Sequence, residues 1–288
     1  MRLRPYTAVL PKPLMPVGDR PVLDIVIRQL QHSGFDRVTI ATGYLAELIE
    51  AFFRNGDSYG IPIDYLREHT PLGTAGALGA LEDIDRPFLV MNGDVLTDLD
   101  YADFVRHHEE TDAAATIAAV KRNVEISLGV LRFTDEHQPD RLTGYVEKPA
   151  LDYEASMGVY CFSPRVMNYL TPGEHLDFPD LIRRLLEAGE VVRAYRSECY
   201  WLDIGRHDDY EQALDEFERM RHRLLPGEPA GERRAGDDRR EPDNRRSGPA
   251  ERRELCDRRE GEERRLTMRI TADGTVERSD GPARFVID

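Results

Sequence analysis

The chain has 288 residues, enough for one large domain or two small ones, and its 54 acidic against 39 basic residues leave a net charge of −15. A field of that sign repels nucleic-acid backbones and anionic lipid, so no nucleic acid and no membrane is expected as a partner, and any nucleotide must be held by a local positive site. Cys161, Cys199 and Cys256 stand far apart without metal-ligand spacing, no window approaches the roughly 18 apolar residues of a membrane span, and the N-terminus lacks the apolar run of a secretion signal; a cytoplasmic protein with reduced thiols is expected.

In chain order, residues 21–33 carry apolar side chains at helical spacing, with Pro21 suited to a first turn and Gly34 to a C-terminal cap, so they predict a helix. Residues 38–41 are a short β-branched run ending at Thr42-Gly43, and 45–53 return to the helical period. Residues 61–66 read as a strand, 75–81 as a helix, and 87–91 as a buried strand stopped by Asn92-Gly93-Asp94. Short apolar strands alternating with helices predict an α/β fold whose parallel sheet is covered on both faces. Ligands in such sheets collect at the carboxyl ends of strands, which puts Gly43, the Asn92-Gly93-Asp94 turn and the Gly73 loop on the functional rim. Past residue 114 the pattern turns strand-rich, at 115–120, 128–133, 142–146 and 157–162, and reads as an extension of the same sheet. The last clear helices are 178–187 and 207–222.

The remainder differs in kind. Residues 226–265 carry almost no apolar side chains, and Arg-Arg pairs begin at 233, 239, 245, 252, 258 and 264 among acids, Gly and Pro. Such a stretch buries too little surface to offset its ordering entropy, so a disordered linker is expected. Residues 266–288 alternate weakly around Asp273-Gly274, which suits a short β-hairpin. The catalytic unit is therefore assigned to residues 1–225.

The chemistry begins at Arg2-Leu3-Arg4-Pro5-Tyr6-Thr7, followed by Pro11-Lys12-Pro13. Two prolines flanking one lysine stiffen the backbone and fix where the ammonium points, as a polyphosphate ligand requires. Leu72-Gly73-Thr74-Ala75-Gly76-Ala77-Leu78 is a small-residue loop that lets backbone approach a ligand. The carboxylate of Asp94, at the end of a buried strand, projects over the sheet edge, where it can hold Mg2+ against phosphate oxygens. Gly144-Tyr145-Val146-Glu147-Lys148-Pro149 places an acid and a base at another strand end, and Tyr200-Trp201-Leu202-Asp203-Ile204-Gly205 supplies a further carboxylate.

Taken together, these segments over residues 2 to about 222 resemble the sugar-1-phosphate nucleotidyltransferases, whose motif runs G-x-G-T-R-x-R-P-x-T…P-K-P. The resemblance implies a Rossmann-like domain with a mixed, mainly parallel sheet flanked by helices. It implies transfer of a nucleoside monophosphate from a nucleoside triphosphate to a sugar 1-phosphate, mannose or glucose 1-phosphate, with Mg2+ as cofactor. By match, Arg2 and Lys12 contact the triphosphate, Gly73, Thr74 and Gly93 the nucleoside side, and Asp94 and Asp203 the metal, with Arg2, Lys12 and Asp94 as the catalytic set. Gly129, Glu147, Lys148 and Gly158 are the sugar-phosphate candidates, with Leu128 standing where many relatives carry an aromatic. The family's first strand and Gly-rich loop do not precede Arg2; a start placed too far downstream is the expected cause, and the alternative is a non-catalytic regulatory homologue that binds sugar phosphate or nucleotide-sugar. No hexapeptide repeats follow residue 225, so the left-handed β-helix of many relatives is not expected, and a homo-oligomer stays open.

Overall fold

A computed structural model of the chain describes residues 7, 9–133, 140–205, 207–227, 269–270, 276–277 and 285–287. The stretch beyond Gly227 expected to be a linker, and Arg2, lie outside the described residues.

The opening hairpin β1 (Pro16–Val17) and β2 (Arg20–Pro21) turns at Gly18, whose φ of +63° favours glycine. It feeds α1 (Val22–His32), which buries Leu23, Val26, Ile27 and Leu30. Next come β3 (Val38–Thr42), buried along its whole length, α2 (Ala46–Phe53) and β4 (Ile63–Arg67). The helix predicted over 75–81 is a short α3 (Gly73–Gly76) that tightens into a 3-10 turn. Its glycines explain this: a Cβ on Gly76 would lie 2.5 Å from the Glu174 carbonyl oxygen and one on Gly79 2.9 Å from that of Thr171, so the segment packs by backbone contact.

There follow β5 (Phe88–Met91), β6 (Val95–Thr97), α4 (Tyr101–Glu109), β7 (Ala115–Glu125), β8 (Val130–Arg132), β9 (Gly144–Val146) and β10 (Ala150–Phe162). The chain continues through α5 (Phe178–Glu187), β11 (Val192–Ser197), β12 (Trp201–Asp203) and α6 (His207–Leu224). Past α6 lie an antiparallel pair, β13 (Arg269–Ile270) with β14 (Val276–Glu277), flanking Asp273-Gly274, and β15 (Phe285–Ile287).

The main sheet has seven strands in the order β11-β7-β10-β5-β15-β3-β4. Only β10 runs against its neighbours; the rest are parallel, giving the mixed, mainly parallel α/β architecture expected from the sequence. One core cluster joins α1, α2 and α4 to the strands, a second joins the Gly73 segment and α5, and a third forms where β6, β12 and α6 meet. The strand-rich region is a continuation of this sheet only in part. β7 and β10 are long sheet members, whereas β8 and β9 pair with each other alone.

Candidate active site

A cavity of about 590 Å³ opens at the carboxyl ends of β3 and β5, lined by Lys12, Thr42, Gly43, Tyr44, Thr74, Asn92, Asp94 and Asp203 among others. Parallel packing brings strand ends and their turns to one edge, which is why residues from six chain segments share it. Lys12 is the only Lys or Arg among the described residues lining the cavity. It sits in a one-turn 3-10 helix with Pro11 before it and Pro13 after, and its Nζ lies 3.1 Å from Asp94 Oδ2.

Asp94 and Asp203, more than a hundred residues apart, are joined by a small sheet. β6 and β12 pair antiparallel with Asp203 opposite Val95, and the Ile204 amide donates to the Asp94 carbonyl at 2.9 Å. The pairing therefore brings the two chain segments together, and both aspartates line the cavity. Trp201 anchors this unit: its Nε1 donates to the Met157 carbonyl at 2.7 Å, and the Arg122 guanidinium stands 4.7 Å from the ring centroid. No group of three or more His, Cys, Asp or Glu able to hold a metal occurs among the described residues.

Several predicted residues support the cavity from behind. Gly158 (φ +71°) is not a lining residue; a Cβ there would lie 2.9 Å from Asn92 Nδ2, and its carbonyl accepts from the Asn92 amide at 3.0 Å. Gly93 lies in the turn between Asn92 and Asp94. Gly73 (φ +75°) packs against Leu176 and Asp177, where a Cβ would come within 2.7 Å of both. Thr74 reaches the cavity while tied to α5: its amide donates to Asp177 Oδ1 at 3.0 Å and its Oγ1 accepts from the Phe178 amide at 3.0 Å.

The second predicted group stays together but apart from this cavity. Gly129, Glu147 and Lys148 are not among the described residues lining it. A Cβ on Gly129 would lie 2.1 Å from Tyr145 Oη, and that phenol donates to Glu147 Oε2 at 2.7 Å, so the glycine makes room for a tyrosine that orients the carboxylate. Lys148, though followed by Pro149, has a φ of +44°, a left-handed backbone that proline normally disfavours in the residue before it. Lys148 is therefore held in a strained backbone beside an oriented carboxylate.

Two residues, Tyr44 and Glu68, escaped the sequence reading, and Asn92, placed on the rim with its turn, was given no role there. Tyr44 lines the cavity and is 70% exposed, so an aromatic ring borders it. Asn92 Oδ1 is buried without a hydrogen-bond partner among the described residues. So is Glu68 Oε1, in a carboxyl group raised by burial and placed beside Gly43, where an added Cβ would lie 3.8 Å from Glu68 Oε2. Their only sequence signal is position immediately after a predicted strand.

Residues 1–219 match the nucleotidyl transferase family, and the chain belongs to it. It is 34% identical over 233 residues to a UTP–glucose-1-phosphate uridylyltransferase of Synechocystis sp., covering 74% of this chain and 59% of that protein. It is 32% identical over 220 residues to a mannose-1-phosphate guanyltransferase of Yarrowia lipolytica, at 73% and 59% coverage. The chain thus spans about three fifths of the length of these curated relatives. The fold is also that of a UDP-glucose pyrophosphorylase from Acinetobacter baumanii, with a TM-score of 0.57, 20% identity, and coverage of 78% of this chain and 91% of that one. No helix among the described residues is long and apolar enough to cross a membrane.

Proposed function

We propose that this protein transfers a nucleoside monophosphate from a nucleoside triphosphate to mannose or glucose 1-phosphate, releasing pyrophosphate and an NDP-sugar. The carrying observation is the convergence of Lys12, Asp94 and Asp203 on one cavity at the carboxyl edge of the sheet. The names of the relatives support the substrate class, since they act on glucose 1-phosphate with UTP or on mannose 1-phosphate.

In this reaction a sugar-phosphate oxygen forms a bond to the α-phosphorus while the bond from that phosphorus to the bridging oxygen of the leaving pyrophosphate breaks. The attacking oxygen is already anionic, so no side chain need act as base or covalent nucleophile. What the chain must supply is positioning and neutralisation. Lys12, stiffened between its prolines, offsets charge on the leaving phosphates, with Arg2 as its partner from the adjoining motif. Lys148 is assigned to the phosphate of the sugar and Glu147 to its hydroxyls, with Gly129 and Gly158 shaping that wall. Gly73, Thr74 and Gly93 border the nucleoside.

The donor chemistry fits Mg2+: two carboxylates, Asp94 and Asp203, lining one cavity with Asn92, whose Oδ1 is buried without a hydrogen-bond partner among the described residues, suit an ion that takes one or two carboxylates and fills its remaining positions with phosphate and water. Bound there, the ion would supply electrostatic stabilisation of the charge developing on the phosphoryl oxygens. Substrates of this kind and the lack of a membrane-spanning helix among the described residues support a cytoplasmic setting.

A matrix of GTP, UTP and dTTP against mannose and glucose 1-phosphate with Mg2+, read as pyrophosphate release, tests the proposal. One pair should exceed the protein-free rate by orders of magnitude. Tight nucleotide or sugar-phosphate binding with no release for any pair would replace it with the regulatory reading.

A further inference from the structure

The strand that brings Asp203 to the cavity has little of its own to hold it. β12 is three residues long and pairs with β6 alone, in a two-stranded sheet apart from the main one. Two strands of that length are marginal by themselves. Leu202 is buried in the core where β6, β12 and α6 meet, and it stands between a half-buried Trp201 and an exposed Asp203. That alternation fixes the face on which Asp203 lies. A slip of two residues preserves the face, however, and would carry the carboxylate roughly 7 Å along the strand.

Two side chains of the partner segment close off that slip. The buried Thr97 donates from Oγ1 to the Tyr200 carbonyl at 2.7 Å, and the same Oγ1 accepts from the Leu99 amide at 3.2 Å. Asp98, its side chain 4% exposed, accepts from the Tyr200 amide on Oδ1 at 2.7 Å and is ion-paired through Oδ2 with Arg223 of α6. Both backbone groups of Tyr200, three positions before Asp203, are thus bound by these two side chains. The grip is itself supported, since the buried Gln29 donates from Nε2 to the Thr97 carbonyl at 2.7 Å. Beyond the other end of β12 the Ile204 amide reaches the Asp94 carbonyl, so Asp203 lies between two fixed points. Neither Thr97 nor Asp98 is among the described residues lining the cavity.

We infer that Thr97 and Asp98 are positioning residues: by gripping Tyr200 they set the register of β12 on β6, and so place the Asp203 carboxylate at the cavity. Removing either side chain leaves a backbone group of Tyr200 short of its partner, and the strand then gains by shifting to find another. The use made of Asp203 rests on the transfer reaction proposed above; the pinning of β12 does not.

Hydrogen exchange on the full chain without ligand reads the pinning. Asp98→Ala and Thr97→Val should each speed exchange of the Ile204 amide at least tenfold, although both leave its acceptor on Asp94 in place, while Val26 and Leu30 in α1 change less than threefold. Asp98→Asn keeps an acceptor for the Tyr200 amide and Thr97→Ser keeps the hydroxyl, so each should return Ile204 to within threefold of the unaltered chain. Unchanged exchange at Ile204 in Asp98→Ala and Thr97→Val overturns the inference, and so does an equal loss at Ile204 and in α1, which is general destabilisation. The action through Asp203 is read in the gain in GTP or UTP affinity that Mg2+ brings. Asp98→Ala should cut that gain at least tenfold in the unaltered background and less than threefold in an Asp203→Asn background. Equal cuts in the two backgrounds show that Asp98 does not act through Asp203. A chain with no Mg2+-dependent gain at all would contradict the proposed function, and exchange at Ile204 would still decide the pinning. Should Asp98→Ala not fold, Thr97→Val is read in both assays against Thr97→Ser, with the same outcomes overturning.

Discussion

Lys12 Nζ and Asp94 Oδ2 stand 3.1 Å apart across the cavity floor, with the lysine side chain 44% and the aspartate 17% exposed. Without phosphate this pair satisfies itself, which keeps a lone cation and a carboxylate from being left unmatched in a confined space. Ligand binding has to redirect the ammonium. Lys12→Ala should therefore weaken triphosphate binding about 100-fold, whereas Lys12→Arg, with a wider head between two prolines, recovers only part of it. Isothermal titration with GTP or UTP reads both, and equal affinity in Lys12→Ala and the unaltered chain would remove Lys12 from the site.

Asp94 and Asp203 line the same cavity. Asp94→Asn and Asp203→Asn should each lower the Mg2+-dependent part of nucleotide binding and any pyrophosphate release at least 100-fold, the equivalent of roughly 3 kcal/mol. Melting temperatures should change little, since both side chains face the cavity. Full Mg2+ dependence in either variant contradicts the metal assignment.

Glu68 offers an acceptor beside Gly43 that suits a base edge rich in N–H donors. Glu68→Gln should shift the ratio of GTP to UTP affinity about tenfold towards UTP, the worth of roughly 1.4 kcal/mol. Competition binding reads the ratio, and an unchanged value places Glu68 outside base recognition.

His108 is buried, with its two ring nitrogens 2.7 Å from Thr116 Oγ1 and 3.0 Å from Ser163 Oγ, and burial pushes its pKa down to about 4 from an ordinary 6.5. Between those values the unfolded chain binds a proton that the native one does not, so this contribution is whole above pH 6.5 and is lost as pH falls towards 4, by about 3 kcal/mol. Asp36, raised to about 6 by burial, works the other way, losing its contribution as pH rises through 6. Urea melts at pH 7 and pH 4.5 should show the gap between the unaltered chain and His108→Gln narrowing at the lower pH. A constant gap would mean that His108 titrates normally.

Asp24 is buried at the first turn of α1, accepting from Arg28 Nε at 2.8 Å, Arg20 Nη1 at 3.1 Å and Tyr59 Oη at 2.7 Å. Asp24→Ala removes all three contacts and takes the buried carboxylate away from two part-buried guanidiniums, so unfolding free energy should fall by roughly 3 kcal/mol. Chemical denaturation measures this; a change below about 0.5 kcal/mol, the size of an exposed pair, would show that the network contributes nothing.

The elements legible in the sequence were those with a strong apolar period: α1, α5, β3 and β5 lie within a residue or two of where spacing put them. α4 escaped because its buried face mixes Tyr101, Phe104 and Val105 with His108, a polar side chain satisfied only by Thr116 and Ser163 on other segments. β12 is three residues long and exists because β6 offers it an edge. Of the candidate site, the positions of Lys12, Thr74, Asp94 and Asp203 were readable from motifs, and Asn92 was placed at the rim by its turn; Tyr44 and Glu68 carry no motif and gain their meaning from what surrounds them.

Residue order alone determined the alternation of strands and helices, the stiff Pro11-Lys12-Pro13 turn and the net negative charge, because each is set without any contact between distant residues. Tertiary structure decided which carboxylates share a cavity and which glycines make room for Asn92 and Tyr145. Those outcomes are contacts between residues tens to hundreds of positions apart, and no local period or propensity encodes the register that brings them together.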